Sequence, residues 1–394
     1  MDNSLLSPEI QSFITKNIAV DVAVLALQKS KFPNADWTTI LNQIAAKQKA
    51  KSKLPTWYNT SNIYYPSKIS VEQTSSEKTA QYKSQLVSGE NLIDLTGGFG
   101  VDDYYFSKKI NQVVHCEINA ELSTIVAHNL EQLTVRNIQC IAGDSSEILA
   151  TLNQKFDWIY IDPSRRNDAK GKVFMLKDCL PNVPELLDFY FDFAENIMIK
   201  TAPILDISAG LLELKNVKAI HIIALENEVK ELLWILEKSY SKAIEIITCN
   251  LTKDTAVEFA FELGNSSVSN YSLPKKYLFE PNAAIMKSGG FDEITAQFEV
   301  EKLHQHSHLY TSDTLIDFPG RAFEIETNFE YNKQNMSRNF GMENKKANIT
   351  TRNFPETVEN IRKKWKIKDG GNGYCFFTTD ANNTKIVLLC NKLK

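Results

Sequence analysis

Along the first fifty residues, apolar side chains recur at helical spacing. Ile10, Phe13, Ile14, Ile18, Val20, Val24 and Leu27 make one broad face. A second periodic stretch over 37–53 carries Ile40, Leu41, Ile44 and Ala45. It ends in lysines, which suit the negative end of a helix dipole. Pro33 and Asn34 punctuate the two. Residues 54–76 (LPTWYNTSNIYYPSKISVEQTSS) lose the period and read as a connector. From about residue 77 the pattern becomes short apolar runs alternating with amphipathic segments. It predicts helices over 76–88, 102–108, 120–133 and 145–152, and strands over 91–95, 113–117, 138–142 and 158–161. Further strands are expected at 196–200, 219–225, 245–251 and 257–263, with a helix at 227–238. Such alternation belongs to a parallel sheet covered on both faces. The short turn at 253–255 adds an antiparallel hairpin at one edge. After the polar run 264–272 the rhythm breaks, leaving a helix near 294–302. Residues 319–394 then read strand, helix, strand, helix, strand, strand, with turn chemistry at 369–373 and 380–383.

Composition narrows the class. With 394 residues, 43% hydrophobic and 23% charged, the chain can build more than one core. No apolar run approaches the ~18–20 residues that span a bilayer. The polar, acidic start is unlike a secretory leader. The six cysteines (116, 140, 179, 249, 375 and 390) include no C-x-x-C pair, so neither a disulfide framework nor a zinc module is expected. A cytoplasmic protein without membrane or metal partners is the expectation. Charge is uneven: residues 330–394 hold 13 Lys/Arg against 6 Asp/Glu, a net +7, which leaves −11 for the rest. A basic end of this kind suits a polyanion; a solvated basic face would give the same count.

The chemistry concentrates at predicted strand ends. The first reads Asp94-Leu95-Thr96-Gly97-Gly98-Phe99-Gly100-Val101-Asp102-Asp103, the second ends in Glu117, the third in Gly143-Asp144-Ser145 and the fourth in Asp162-Pro163-Ser164-Arg165-Arg166. In an open α/β sheet, ligands sit at the carboxyl ends of the strands, where glycines let a ligand approach the backbone. Glu117 suits two ribose hydroxyls, and Asp144 suits an exocyclic adenine amine. A dinucleotide site wants G-x-G-x-x-G, but counted from Gly98 the third glycine falls on Asp103. A pyrophosphate would also meet Asp102 and Asp103. S-adenosylmethionine, cationic and free of phosphate, suits an acid-lined rim.

These motifs resemble those of class I S-adenosylmethionine-dependent methyltransferases. The segments 71–83, 178–181 and 226–233, together with Arg352-Asn353-Phe354 and 362–371, resemble a bacterial family of such enzymes with a THUMP-like C-terminal domain. The resemblance implies an α/β fold: a Rossmann-like, seven-stranded methyltransferase domain, a helical N-terminal segment, and small α+β modules, ferredoxin-like and THUMP-like, at the C-terminus. The expected boundaries are 1–76, 77–265, 266–318 and 319–394. It implies cofactor binding by Asp94, Thr96, Gly97, Gly98, Gly100, Asp102, Glu117 and Asp144, with residues 73–77 closing one side. RNA is the implied partner, docked by the basic C-terminal domain.

The fourth motif departs from the N/D-P-P-Y/F of enzymes that methylate exocyclic amines. Ser164 stands for the second proline and Arg165 for the aromatic that stacks on a flipped base. Asp162, Ser164 and Arg165 are the candidate catalytic residues: Asp162 to accept a proton or orient the nucleophile, Arg165 and Arg166 to hold phosphate unless they pair with neighbouring acids. His304-Gln305-His306-Ser307-His308 could place three histidines on one strand face, but without an acidic or Cys partner it reads as structural. Glu226 and Glu228 read as a helix start that could border a substrate pocket. Trp57, Tyr58, Tyr64 and Tyr65 could stack on bases or pack between segments. Methyl transfer to structured RNA is the leading function. Transfer to a protein or small molecule, or cofactor binding without catalysis, are the alternatives.

Overall fold

The apolar runs that end in acids become parallel strands. In the computed structural model, which describes residues 1–33, 35–165, 175–265, 267–340 and 346–393, with the side chains of Lys68, Ile69 and Arg165 outside that description, β1 (Asn91–Asp94) lies between β2 (Gln112–Glu117) and β4 (Phe156–Ile161). β3 (Ile138–Ala142) flanks β2, and β5 (Ala194–Thr201) flanks β4, all parallel. Arg166 lies outside the described residues.

The next two strands hold the main correction. Residues 227–238, expected as a helix, form strand β7 (Glu228–Glu237). It follows β6 (Val217–Leu225) through a two-residue turn in which Glu226 (φ 50°) and Asn227 (φ 63°) are both left-handed. Two consecutive positive φ values make the tight hairpin whose twist matches its strands. Glu226 and Glu228 therefore start no helix. β7 pairs antiparallel with β5, from Asn196↔Glu237 to Thr201↔Leu232. Its run Leu232–Leu236 is buried throughout, as a strand covered on both faces requires. The charged Glu-Val-Lys-Glu lead-in mimics a helical surface, and short apolar runs do not by themselves separate buried helix from buried strand. These seven strands run in the order β3-β2-β1-β4-β5-β7-β6, within a sheet of nine.

The chain divides into two compact units, 1–220 with 231–242, and 221–230 with 243–394. In the first, the connector is pinned to its neighbours by buried amides. Gln43 and Asn129 each both donate to and accept from the backbone, at Tyr65 and Tyr64 respectively, over 2.6–2.9 Å. Trp57 packs edge-on against Tyr104 (4.9 Å) and near Phe99. Trp57, Tyr64 and Tyr65 are thus core residues, and Tyr58 is partly buried beside them.

In the second unit, β8 (Glu245–Leu251) and β9 (Ala256–Glu262) form the expected antiparallel hairpin. A further sheet contains β10 (Tyr277–Pro281), β11 (Glu301–Lys302), β12 (Tyr310–Ser312), β13 (Gly320–Glu330), β14 (Asn348–Thr351), β15 (Gly373–Thr379) and β16 (Lys385–Lys392), in the order β11-β12-β10-β13-β16-β15-β14. The helix expected over 294–302 is only Glu293–Gln297, before β11. Residues 304–308 are a turn and not a strand. There His304 bonds Asn353 and Asn383, and His308 stacks on Phe291 at 3.6 Å. The helix Val358–Trp365 buries Ile361 and packs Trp365 partly beneath it. Among the described residues no helix is long and apolar enough to cross a membrane, and no His/Cys/Asp/Glu group could hold a metal.

Candidate functional site

In the first unit the strand ends open into a cleft of about 1100 Å³. Its wall includes Asp94 from β1, Glu117 from β2, Asp144 after β3, Asp162 and Ser164 after β4, and Asp102 from the helix after the glycine turn. Thr96, Gly97 and Gly98 also line it, and Gln73, Thr74 and Ser75 border it from the connector. Glu77 turns away and accepts from Thr56 and Tyr105. Five carboxylates and no Lys, Arg or His are among these lining residues.

The glycine turn is fixed from behind. A Cβ on Gly97 would stand 2.1 Å from the His115 ring, so only glycine lets the first turn close onto β2. Gly98 (φ 57°) has only the Thr96 carbonyl near its missing Cβ, which leaves its backbone open to the cleft. Gly100 is not part of the wall; its open side faces Val126. Glu117 accepts from Gly98 N (3.0 Å) and Asn119 N (2.8 Å), one bond per oxygen, so each oxygen keeps a lone pair. Asp144 caps the helix Ser145–Leu152 through Oδ1 alone, leaving Oδ2 for a ligand. Thr96 links the first and fourth motifs: its N–H and hydroxyl donate to Asp94 Oδ1, and its oxygen accepts from Asp162 N at 2.7 Å.

Beneath the cleft runs a charge network that the motifs did not announce. The fully buried Lys83 Nζ reaches Glu231 (2.8 and 3.0 Å), Ser75 (3.0 Å) and, as an ion pair, Asp102 Oδ1 (3.1 Å). Asp102 Oδ2 accepts from Ser75 (2.9 Å) and Tyr160 (2.8 Å). Burial alone would raise the Asp102 carboxyl, but Lys83, Lys200 and the two hydroxyls hold it below the usual range. Lys200, from the end of β5, bonds Asp162. Burial pushes its ammonium down, yet Asp162, Asp102 and Glu231 outweigh that and hold it above the ordinary lysine value. Deeper still, Asp103 Oδ2 lies 2.6 Å from His115 Nδ1. Burial and mutual repulsion push Asp94 well up, and burial with the Asp102 charge does the same to Asp103. Burial also keeps His115 low.

Of the residues singled out in sequence, Asp94, Thr96, Gly97, Gly98, Asp102, Glu117, Asp144, Asp162 and Ser164 come together on this wall. Arg165 sits in a short ladder, opposite Cys179, that pairs 164–165 with 179–180. Lys83, Tyr160, Lys200 and Glu231 escaped the sequence reading. Their one signal is a polar residue at the end of an apolar run, as in Ile197-Met198-Ile199-Lys200.

Comparisons with known proteins agree with this architecture. Residues 277–319 match the model of a ferredoxin-like domain and residues 320–392 that of a THUMP domain-like family. A crystal structure from Porphyromonas gingivalis W83, described as a putative methyltransferase, is 29% identical over 100% of both chains, with a TM-score of 0.88. An rRNA methylase from Streptococcus thermophilus shares 14% identity over 41% of this chain and 95% of its own, at a TM-score of 0.30. TrmK of M. capricolum, solved with S-adenosyl-homocysteine, shares 15% over 42% and 70%, at 0.33. No curated protein matches the chain. The chain has the methyltransferase fold with ferredoxin-like and THUMP-like modules at its C-terminal end, the make-up that its motifs resembled.

Proposed function

We propose that the strand-end cleft binds S-adenosylmethionine and that the protein methylates structured RNA. The observation that carries the cofactor is the donor set. Five acids and no cation line the described wall, which repels a pyrophosphate and suits a ligand with a sulfonium and an ammonium. Glu117 offers its spare lone pairs to ribose hydroxyls and Asp144 its free oxygen to an adenine amine. The open backbone at Gly98 lets the ligand lie close. Asp94, Thr96, Gly97 and Asp102 complete the floor, and Gly100 shapes the turn. When bound, the cofactor supplies an electrophilic methyl group. The chain's part is alignment, with Asp162, Ser164 and Arg165 as the residues assigned to the acceptor, an effect of orientation more than of acid–base strength. The RNA reading rests on the THUMP-like match at 320–392 and on the basic C-terminal end. We assign functional domains at 1–76, 77–265, 266–318 and 319–394, in a cytoplasmic enzyme.

Calorimetry tests the cofactor directly. Wild-type protein should bind S-adenosylmethionine, and Glu117→Ala and Asp144→Ala should each weaken it by about 1–3 kcal/mol, the cost of hydrogen bonds to a charged group. Wild-type affinity in both variants sinks the assignment.

A further inference from the structure

We infer that the acceptor atom is a hydroxyl oxygen, in RNA the ribose 2′-hydroxyl, and that Asp162 backed by Lys200 is the pair that takes its proton. The inference rests on the reading of the protein as an RNA methyltransferase and names the atom which that reading leaves open.

The argument starts from the charges at the fourth strand end. Asp162 lines the cleft and is 38% exposed, and the Lys200 ammonium bonded to it is 13% exposed. Lys200 keeps its proton because Asp162, Asp102 and Glu231 surround it, while Lys83 neutralises Asp102 and Glu231 from the far side. Two lysines and three carboxylates thus interlock; Asp102 and Asp162 both line the cleft, and Asp162 is the one bonded to Lys200.

Charge development then separates the possible nucleophiles. A neutral amine becomes more positive as it attacks a methyl sulfonium, and a nearby ammonium opposes that. A hydroxyl sheds its proton and gains negative charge, which a nearby ammonium stabilises. A carbon acceptor activated by a thiolate has no support here. Cys116 is the cysteine on the wall, and burial together with Asp94 and Asp103 pushes its thiol far up. Among the described residues of the wall, no exposed ring offers a base a platform either. The aromatic residues of the described wall are Phe99 and Tyr160, both buried, while the side by Asp162 offers Pro163, Leu180 and Pro181. A ribose hydroxyl presented from a backbone needs no ring beneath it.

The step balances. The hydroxyl oxygen forms a bond to the methyl carbon, and the carbon–sulfur bond of the sulfonium breaks with its electron pair left on sulfur. The hydroxyl proton passes to the Asp162 carboxylate and then to water. Lys200 is a positioning residue: it fixes the carboxylate and offsets the charge growing on oxygen.

The test uses the full chain, S-adenosylmethionine tritiated in its methyl group, and total RNA from cells in which this gene has been deleted. A 2′-O-methyl group blocks alkaline cleavage of the adjoining phosphodiester, so the label should emerge from alkali in dinucleotides. Label in mononucleotides overturns the hydroxyl assignment and leaves the RNA reading standing. No label in RNA, from protein that binds the cofactor, overturns both. Lys200→Met should slow transfer by about a hundredfold or more with cofactor affinity unchanged, and Lys200→Arg should restore part of it. A second readout needs neither cofactor nor turnover. In ligand-free protein at pH 9, acetylation of Lys200 followed by mass spectrometry should run several-fold faster in Asp162→Asn, because the ammonium loses its partner. Equal rates in wild type and variant overturn the pair.

Discussion

Two buried ions, Lys83 in the first unit and Glu280 in the second, carry opposite signs and are paired in opposite senses. Below the cleft of the first, the cation Lys83 is sealed away and carboxylates reach the opening. In the second, the carboxylate of Glu280 on β10 is sealed, 4% exposed, and two cations reach the surface over it. Arg321, its direct partner on β13, donates through Nε (2.7 Å) and Nη2 to one oxygen. Arg352, after β14, donates through Nη2 (2.9 Å) and Nε to the other. Each arginine remains about a third exposed. In these two networks the buried ion is the counter-charge of what lies over it: carboxylates at the cleft in one, guanidinium groups at the surface in the other. A buried charge costs several kcal/mol unless paired, so the presented sign demands a hidden opposite. Net charge along the chain reports only the first of these.

The most severe way to break this comparison is at Lys83. Lys83→Met takes from Glu231 and Asp102 the cation bonded to both and leaves only the field of Lys200; removing one member of a buried pair typically costs about 3–5 kcal/mol. Urea unfolding should show a loss of about that size. The double variant Lys83→Met/Glu231→Leu should recover part of it, since the charge left without its bonded cation is then Asp102, still held by Lys200 and two hydroxyls. A loss below about 1 kcal/mol in the single variant would mean that the network is not closed as described.

That prediction also marks where the sequence was legible. Four strand ends, each delivering an acid, could be read because β-strands this short show their period, and because turn glycines and acids cannot hide inside them. The cleft wall followed from those positions. The ion pairs beneath it did not, because Lys83 and Glu231 are 148 residues apart and each looks like a surface residue of its own segment. The β6–β7 hairpin was missed for a related reason. Its turn residues, Glu226 and Asn227, lack the glycine that announces two left-handed positions, and Glu-Val-Lys-Glu carries charges at helical spacing.

In the second unit the corresponding lesion is smaller. Glu280→Gln leaves two arginines with one neutral acceptor. Because both guanidinium groups already reach water, the cost should fall to about 1–3 kcal/mol, below the fully buried case. Unfolding of this variant and of Lys83→Met on one scale sharpens the contrast. A Glu280 loss as large as that at Lys83 would mean that the arginines are less hydrated than their exposure indicates.

The smallest effect on stability belongs to the cations of the C-terminal helix, which separate into two kinds. Arg362, 20% exposed, donates to Ala347 O (3.1 Å), Ile367 O and Asp369, so it ties the helix end to the following chain. Lys364 bonds Tyr331 and Glu356 at 3.0 Å. The basic run of this helix is therefore partly spent on its own fold. Lys363 and Lys366 are exposed, and Lys366 sits at the helix C-cap with φ 54°. A solvated lysine contributes little to folding, so Lys363→Gln/Lys366→Gln should unfold within about 0.5 kcal/mol of wild type. If these cations touch phosphates, each phosphate left without its lysine should flatten the slope of log affinity for RNA against log salt by up to about one unit. Arg362→Gln should instead cost stability at constant salt slope. Filter binding at several salt concentrations, set beside urea unfolding of the same three proteins, decides between a docking surface and a solvated face. An unchanged slope in the double lysine variant removes these two positions from the RNA surface and moves the search to the exposed edges of Arg321 and Arg352.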